Sequence, residues 1–319
     1  MSRFLKTFLR DPPDAQVHFA AFGKHPAWDD HIDDIGLTTE TLALTKQGLY
    51  SEGIATQLAS GAWNQIESSG TAIDFNHRFV WGRDQQAVTG AIWASTDRKG
   101  RSRFPLVICA QSGFEGPRAV DLLFDPIERL GTVCRNASTQ DAVREALSTT
   151  QAGLSYAVPP SIGASLFAEI TEWGENTILP AMVTLSAGLK NNRQRGPRET
   201  AKTSCSHFRL AAIFARSKEN LIFWSAYLAS QRTSSGLPYF VIAVNGKGWI
   251  DMIIGEPLQN DFFCLRANEY ALPSTWIDID SAERSKLESA AKNYLHTYRL
   301  APASSSSHPR SWWSGLFKK

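Results

Sequence analysis

The rest of the chain is organised around the stretch FGKHPAWDDHIDDIGL, residues 22–37. It follows the apolar run VHFAAF at residues 17–22, whose composition predicts a strand. Gly23 can adopt a backbone conformation closed to other residues, and Pro26 fixes its own φ while keeping His25 out of the helical region. We therefore predict a rigid turn at the end of this strand.

An acidic loop and a helix are predicted after the turn. The loop carries four aspartates, at positions 29, 30, 33 and 34. Thr38 and Thr39 can cap a helix that begins at about Glu40. Its candidate buried residues are Leu42, Leu49, Ile54 and Leu58.

Composition limits the classes of protein that fit. The chain has 319 residues and 43% hydrophobic content, enough for a substantial core in one large domain or two smaller ones. A formal charge of +2 gives no overall field for nucleic acid or membrane binding. The first ten residues lack the features of a signal peptide, so we expect a cytoplasmic protein. Buried free thiols are expected for the four separated cysteines, 109, 134, 205 and 264.

Strand patterns recur in both halves of the chain. Strands are predicted at 78–82, 86–95, 104–110 and 210–214, and a hairpin at 239–244 and 249–254 across an Asn-Gly turn. Helical patterns alternate with them, so the fold class predicted is α/β, of mixed α+β type. We expect a largely antiparallel mixed sheet with helices packed on its faces.

Four helices are predicted between and after these strands. One begins near Pro117 and ends at Gly131, the next runs to about residue 149 from a Ser138 and Asp141 cap, and a third covers 217–230. The last follows a capping box of Asp280 and Glu283 and stops at Pro302.

The pattern divides the chain into an N-terminal domain at 1–157, a second α/β half at 158–302 packed on or continuous with it, and a flexible tail at 303–319. The basic stretch 190–202 is predicted to be a solvated or disordered loop, with partner or nucleic acid binding as the alternative. The basic and aromatic termini could make weak membrane contact or dock on a partner.

Two motifs in the N-terminal domain resemble the TagF (ImpM) family, which accompanies bacterial type VI secretion. The family opens on Gly-Lys-x-Pro-x-x-Gly-Asp-Phe, which Gly23, Lys24, Pro26 and Asp30 match, while Asp29 and His31 stand in place of the glycine and phenylalanine. The second motif, Ser-x-Asp-x-x-Gly-Arg-x-Phe-Pro-Leu, is similar to residues 95–106, with one residue more before Phe104. Its matching positions are Ser95, Asp97, Gly100, Arg101, Phe104, Pro105 and Leu106.

This resemblance implies a non-enzymatic cytoplasmic accessory or regulatory protein without a cofactor. In that family the usual effect is repression of assembly after translation, through binding of a forkhead-associated scaffold protein. The partner expected is that scaffold or another component of the secretion system, and no nucleic acid. The motif residues, together with Trp28 and Asp29, are the candidate binding site.

The residues leave two other functions open. His25, Asp29, Asp30 and His31 could bind a divalent metal in a hydrolase, although their spacing matches no known helix-based site. A purely structural role in a different contractile or secretion machine is the third alternative.

The topology predicts how the two motifs meet. If the strand ending at Phe22 neighbours those flanking 95–103, both loops lie at one edge of the sheet. We then expect Asp30 to pair with Arg101, and Lys24, Trp28, Asp29 and Asp30 to be exposed to a partner. Asp97 and Arg101 form either a ligand pair or an ion pair that fixes the loop.

Overall fold

The computed structural model describes residues 16–83, 86–154, 175–194, 206–231 and 238–300. Within them the strands form one seven-stranded sheet in the order β1-β4-β3-β2-β6-β7-β5, and every adjacent pair is antiparallel. The strands are β1 Val17–Gly23, β2 Asn76–Arg83, β3 Gln86–Trp93, β4 Leu106–Ser112, β5 Ser206–Ala211, β6 Tyr239–Val244 and β7 Trp249–Ile254. The predicted mixed fold, largely antiparallel with helices on both faces, is confirmed.

Alternate residues of each strand point to opposite faces of the sheet. Both faces are buried, each against its own apolar cluster. In β1, Phe19 and Ala21 join one apolar cluster, whereas Ala20 and Phe22 join the other. The two clusters lie on the two faces, so the molecule has three layers.

The first helical layer consists of α4 Gly116–Asn136, α5 Gln140–Gly153, α6 Glu175–Gln194, α7 Ser217–Gln231 and α8 Ser281–Leu300. The prediction that α4 stops at Gly131 is wrong. A Cβ at Gly131 would lie 2.2 Å from the Trp93 ring, so this glycine allows close helix–sheet packing and does not end the helix. The cap of α5 is Thr139, not Ser138, since Thr139 Oγ1 accepts the Ala142 N–H at 3.2 Å.

The second layer covers the opposite face and begins with the predicted cap. Thr39 Oγ1 accepts the Leu42 N–H at 3.2 Å. Three consecutive helical segments follow: α1 Glu40–Thr45, a π-helix at Lys46–Ile54, and α2 Ala55–Ala59. The layer is completed by α3 Ala62–Ser68 and a 3-10 helix at Gln259–Leu265. A π-helix of this length is rare, and the sequence analysis did not anticipate it.

Several other helix and strand boundaries can be compared with those predicted from the sequence. The 239–244 and 249–254 hairpin is confirmed, as is the Asp280 cap of α8, whose Oδ1 accepts the Glu283 N–H at 2.8 Å. The strand predicted at 210–214 lies earlier, at β5. Helix α6 was missed, and Lys190, predicted to lie in a loop, lies in it and pairs with Glu283 at 2.6 Å.

The two halves of the chain share the sheet, because β2 pairs with β6 from Gly82 to His77. The boundary at residue 157, residues 195–202, Pro302, and both termini lie outside the described residues. In the part of the chain that the structure describes, no helix is long and apolar enough to cross a membrane.

Candidate functional site

Two loops meet at one edge of the sheet. The acidic loop, residues 24–35, leaves β1, and the basic turn, residues 94–105, joins β3 to β4. Leu106, the first residue of β4, pairs with Gly23 on one side and with Trp93 on the other. The predicted meeting of the two motifs is therefore confirmed, with β4 as the strand they share.

Gly23 sets the exit of the acidic loop. Its φ is +104°, and a Cβ there would lie 2.1 Å from the Pro105 carbonyl oxygen. The same oxygen accepts the Lys24 N–H at 3.0 Å, and the Gly23 carbonyl accepts the Ile32 N–H at 2.8 Å. Glycine is required here both by backbone conformation and by space.

A buried ion pair joins the two loops. The Lys24 ammonium lies 2.8 Å from Asp97 Oδ2, and the side chains are only 4% and 0% exposed. Asp97 also accepts hydrogen bonds from the Arg101 side chain at 2.6 Å and from the backbone of Lys99 and Arg101 at 2.9 and 3.0 Å. Asp97 therefore fixes the basic turn, and its partnership with Arg101 is structural.

The pKa of Asp97 reflects this environment. Burial alone would raise the pKa, but the hydrogen bonds from Lys24 and Arg101 outweigh it and hold the pKa well below its usual range. The carboxylate is therefore charged at neutral pH, as the ion pair requires.

Asp30 makes the predicted ion pair with Arg101, at 3.3 Å. It also pairs with Lys24 and lies 3.0 Å from His31 Nδ1. The hydrogen bond from Lys24 lowers the pKa of Asp30. Asp30 is 66% and Arg101 52% exposed, so this pair lies at the surface, where ion pairs contribute little to stability.

His25 and Trp28 lie inside the site. His25 Nδ1 accepts the Ala27 N–H at 3.0 Å, which leaves Nε2 to donate to the Cys134 carbonyl at 2.8 Å. The Trp28 ring packs edge-on against His25, and its Nε1 donates to Asp33 at 3.2 Å. The expected exposure of Lys24 and Trp28 is wrong: both are 3% exposed, because the loop folds back over the sheet edge.

The exposed charges of the two loops pair with one another. Arg98 lies 3.3 Å from Asp29 and also donates to the Ala27 carbonyl at 2.7 Å. Arg101 donates to the Asp29 carbonyl at 2.8 Å. We call Asp29, Asp30, Arg98 and Arg101 the charged surface.

Three aromatic rings pack together next to the two loops. The His31 ring packs on Phe104 and Tyr50, with centroids 5.1 and 5.9 Å apart. Burial lowers the pKa of His31. Tyr50 comes from the π-helix, so that unusual segment places an aromatic ring beneath the site.

A pocket of about 550 Å³ opens beside the loops. Pro26, Ser95 and Arg103 of the two loops line it, as do Arg135 from α4 and Arg266, which follows the 3-10 helix. Neither Arg135 nor Arg266 is predicted from the sequence, because nothing local to them indicates that the fold brings them to these loops.

A different cluster contains three residues of the types that bind metal ions. Among the described residues, His207, Asp251 and Cys264 place ligand-type atoms within 4.8 Å of one another. However, Arg209 donates to both Asp251 oxygens, each at 2.8 Å, and its positive charge opposes a cation. Burial also raises the pKa of the Cys264 thiol well above its usual value. The cluster fits a buried ion pair better than a metal centre.

Comparisons with known proteins add little. No family model matches the chain, and no curated protein matches it. Among solved structures it is similar to PA0076 from Pseudomonas aeruginosa PAO1, at 17% identity and a TM-score of 0.42, over 82% of this chain and 100% of that chain. This similarity is too low to establish a shared fold or function.

Gly23 and Gly100 form a matched pair for testing the loop geometry. Both have positive φ, +104° and +78°, but a Cβ at Gly100 meets no atom within 4 Å. Gly100→Ala should therefore cost only the left-handed backbone penalty, about 1 kcal/mol. Gly23→Ala adds the clash with Pro105 and should cost at least about twice as much. Denaturant unfolding of both variants measures the difference, and equal losses would contradict the role of the clash.

Proposed function

We propose that the protein is a TagF-like accessory protein of a bacterial type VI secretion system. It represses assembly of the system after translation by binding the forkhead-associated scaffold protein. One observation carries the proposal: the two motifs of the resemblance, some 70 residues apart in sequence, are joined by the Lys24–Asp97 pair into one surface.

The arrangement suits recognition of another protein. The buried pair holds both loops in one conformation, so binding costs little loop ordering. The charged surface presents carboxylates and guanidinium groups side by side, and such patterns favour one partner over others. Its charges are more than half exposed, from 52% for Arg101 to 66% for Asp30, and are accessible to that partner.

The hydrolase alternative receives no such support. His25, its first proposed ligand, has both ring nitrogens engaged within the chain. Asp30 is already paired with Lys24 and Arg101, whose positive charges oppose a divalent cation. A purely structural role in a different contractile or secretion machine predicts neither scaffold binding nor repression, so the experiment below separates it from the proposal.

Raising the protein's level in its host should lower secretion of the tube protein without lowering its synthesis. Asp30→Ala at the same level should lose this effect, because the variant removes one charge of the contact surface. Purified Asp30→Ala should bind the scaffold at least about tenfold more weakly. Its melting temperature should stay nearly unchanged, since Lys24 keeps Asp97 as a partner.

Arg284→Ala is the control, because Arg284 is exposed on α8, away from the two loops. It should leave both binding and repression intact. Unchanged secretion at several-fold excess of the wild-type protein would contradict the repressor role. Scaffold binding without repression would favour an accessory role in the same system.

A further inference from the structure

The pocket beside the two loops carries charges that the fold itself does not neutralise. Arg266 pairs with Glu67 at 2.9 Å, and both line the pocket. The other guanidinium groups there, those of Arg103 and Arg135, have no carboxylate partner among the described residues. Arg103 donates to the Asn64 amide oxygen at 2.7 Å, and Arg135 lies over the Trp93 ring at 5.9 Å.

Unused hydrogen-bonding groups lie beside these charges. Ser95, Thr96 and Ser102 line the pocket, and the residues that the structure describes supply no hydrogen-bond partner for their hydroxyl groups. Hydroxyl groups and guanidinium groups together are the donors that carboxylates and phosphates accept from. The pocket volume of about 550 Å³ is in the range of small-ligand sites.

The helix end that borders the pocket does not oppose an anion strongly. Arg135 lies in the last turn of α4, where backbone carbonyl groups carry partial negative charge. The Cys134 carbonyl is already used, since it accepts hydrogen bonds from His25 at 2.8 Å and from the Ala137 N–H at 2.9 Å. Asp74 is the remaining opposing charge; it is exposed and makes no ion pair within the described part of the chain.

We infer that this pocket takes an anionic side chain of the protein partner, a carboxylate or a phosphate monoester held by Arg103 and Arg135. The inference rests on the proposed function for the nature of the partner. The anion would enter next to the charged surface, because Pro26 and Ser95 belong both to the pocket wall and to the two loops.

Blocked tripeptides test the pocket without the partner. Peptides with aspartate, glutamate or phosphothreonine at the centre should shift the side-chain NMR signals of Arg103 and Arg135, whereas a threonine peptide should not. The relative affinities distinguish a carboxylate from a phosphate. No saturable shift with any anionic peptide would overturn the inference.

Variants of opposite sign keep the test independent of folding. Arg103→Met and Arg135→Met should each weaken anion binding about tenfold, through loss of a charge-assisted hydrogen bond. Asp74→Asn should tighten it severalfold, which a misfolded variant would not do. Lys99→Met is the control for charge, because Lys99 lies on the basic turn, is exposed and does not line the pocket. Equal losses from Lys99→Met and Arg103→Met would overturn the inference.

Scaffold binding separates this inference from the proposed function. Loss of scaffold binding in Arg103→Met and Arg135→Met, but not in Lys99→Met, supports both. Scaffold binding that is unchanged in the two arginine variants would overturn the pocket's role while the proposed function stands. Absence of scaffold binding by the wild-type protein would overturn the proposed function and, with it, the partner assigned to the pocket, even if the peptides bind.

Discussion

Arg209→Met is expected to lower the free energy of unfolding by about 5 kcal/mol, because it removes the guanidinium group that neutralises the buried Asp251 carboxylate. Arg209 and Asp251 are each 1% exposed and share two hydrogen bonds of 2.8 Å. The guanidinium group also donates to the backbone carbonyls of Cys264, Ala267, Asn268 and Leu272, at 2.9 to 3.2 Å. The side chain therefore fastens the 264–272 segment to β5, and urea unfolding of the variant measures the loss.

The double variant Arg209→Met with Asp251→Leu separates the charge from the carbonyl contacts. Removing both charges should restore part of the stability, since an apolar pair needs no compensation. The carbonyls remain without a donor, so recovery should be incomplete. A double variant no more stable than Arg209→Met would show that the loss comes from the carbonyl contacts alone.

Lys24→Met is expected to cost about 3 kcal/mol of unfolding free energy, since the carboxylate of Asp97 then loses its buried counter-charge and keeps only the half-exposed guanidinium group of Arg101. The 2.8 Å pair is the contact that joins the acidic loop to the basic turn. Its loss should therefore also weaken scaffold binding, in contrast to Asp30→Ala, which should affect binding and leave stability nearly unchanged. Chemical denaturation and a scaffold affinity measurement on the same protein test both effects.

Lys46→Met is the matched control for Lys24→Met. Lys46, in the π-helix, pairs with Asp34 of the acidic loop, but the two side chains are 26% and 46% exposed. Exposed pairs of this kind contribute about 1 kcal/mol or less. If both lysine variants lost the same stability, burial would not be what distinguishes the Lys24 pair.

Local patterns predicted the elements that short-range interactions decide. The Asn-Gly hairpin, the Thr39 cap and the Asp280 cap are confirmed, because a turn or a cap is satisfied by neighbours within about four residues. The prediction at Gly131 is wrong for the opposite reason. Its role is set by the Trp93 ring on strand β3, which a helix-ending pattern cannot indicate.

The candidate site likewise contains features that the sequence predicted and features that it did not. The sequence indicated that Gly23 takes an unusual backbone conformation, and its φ is positive. It also suggested the Asp30–Arg101 pair, from opposite charges on loops at one sheet edge. It did not indicate that Lys24 turns inward to Asp97, because burial depends on what covers a residue and not on its type.

What the sequence by itself determined is the set of local geometries: the strand pattern, the caps, the hairpin turn, and the glycine that precedes the acidic loop. Only the tertiary structure decided which charges are buried and which meet a pocket. Lys24 and Asp97 lie 73 residues apart, and Arg135 reaches the pocket from a helix on one face while Arg266 reaches it from the segment covering the other. These contacts depend on the antiparallel pairing of β1 and β3 with β4 and on helices packed over both faces. Such long-range packing fixes desolvation and distance, and those two quantities decide whether a charge stabilises the fold or is available to a partner.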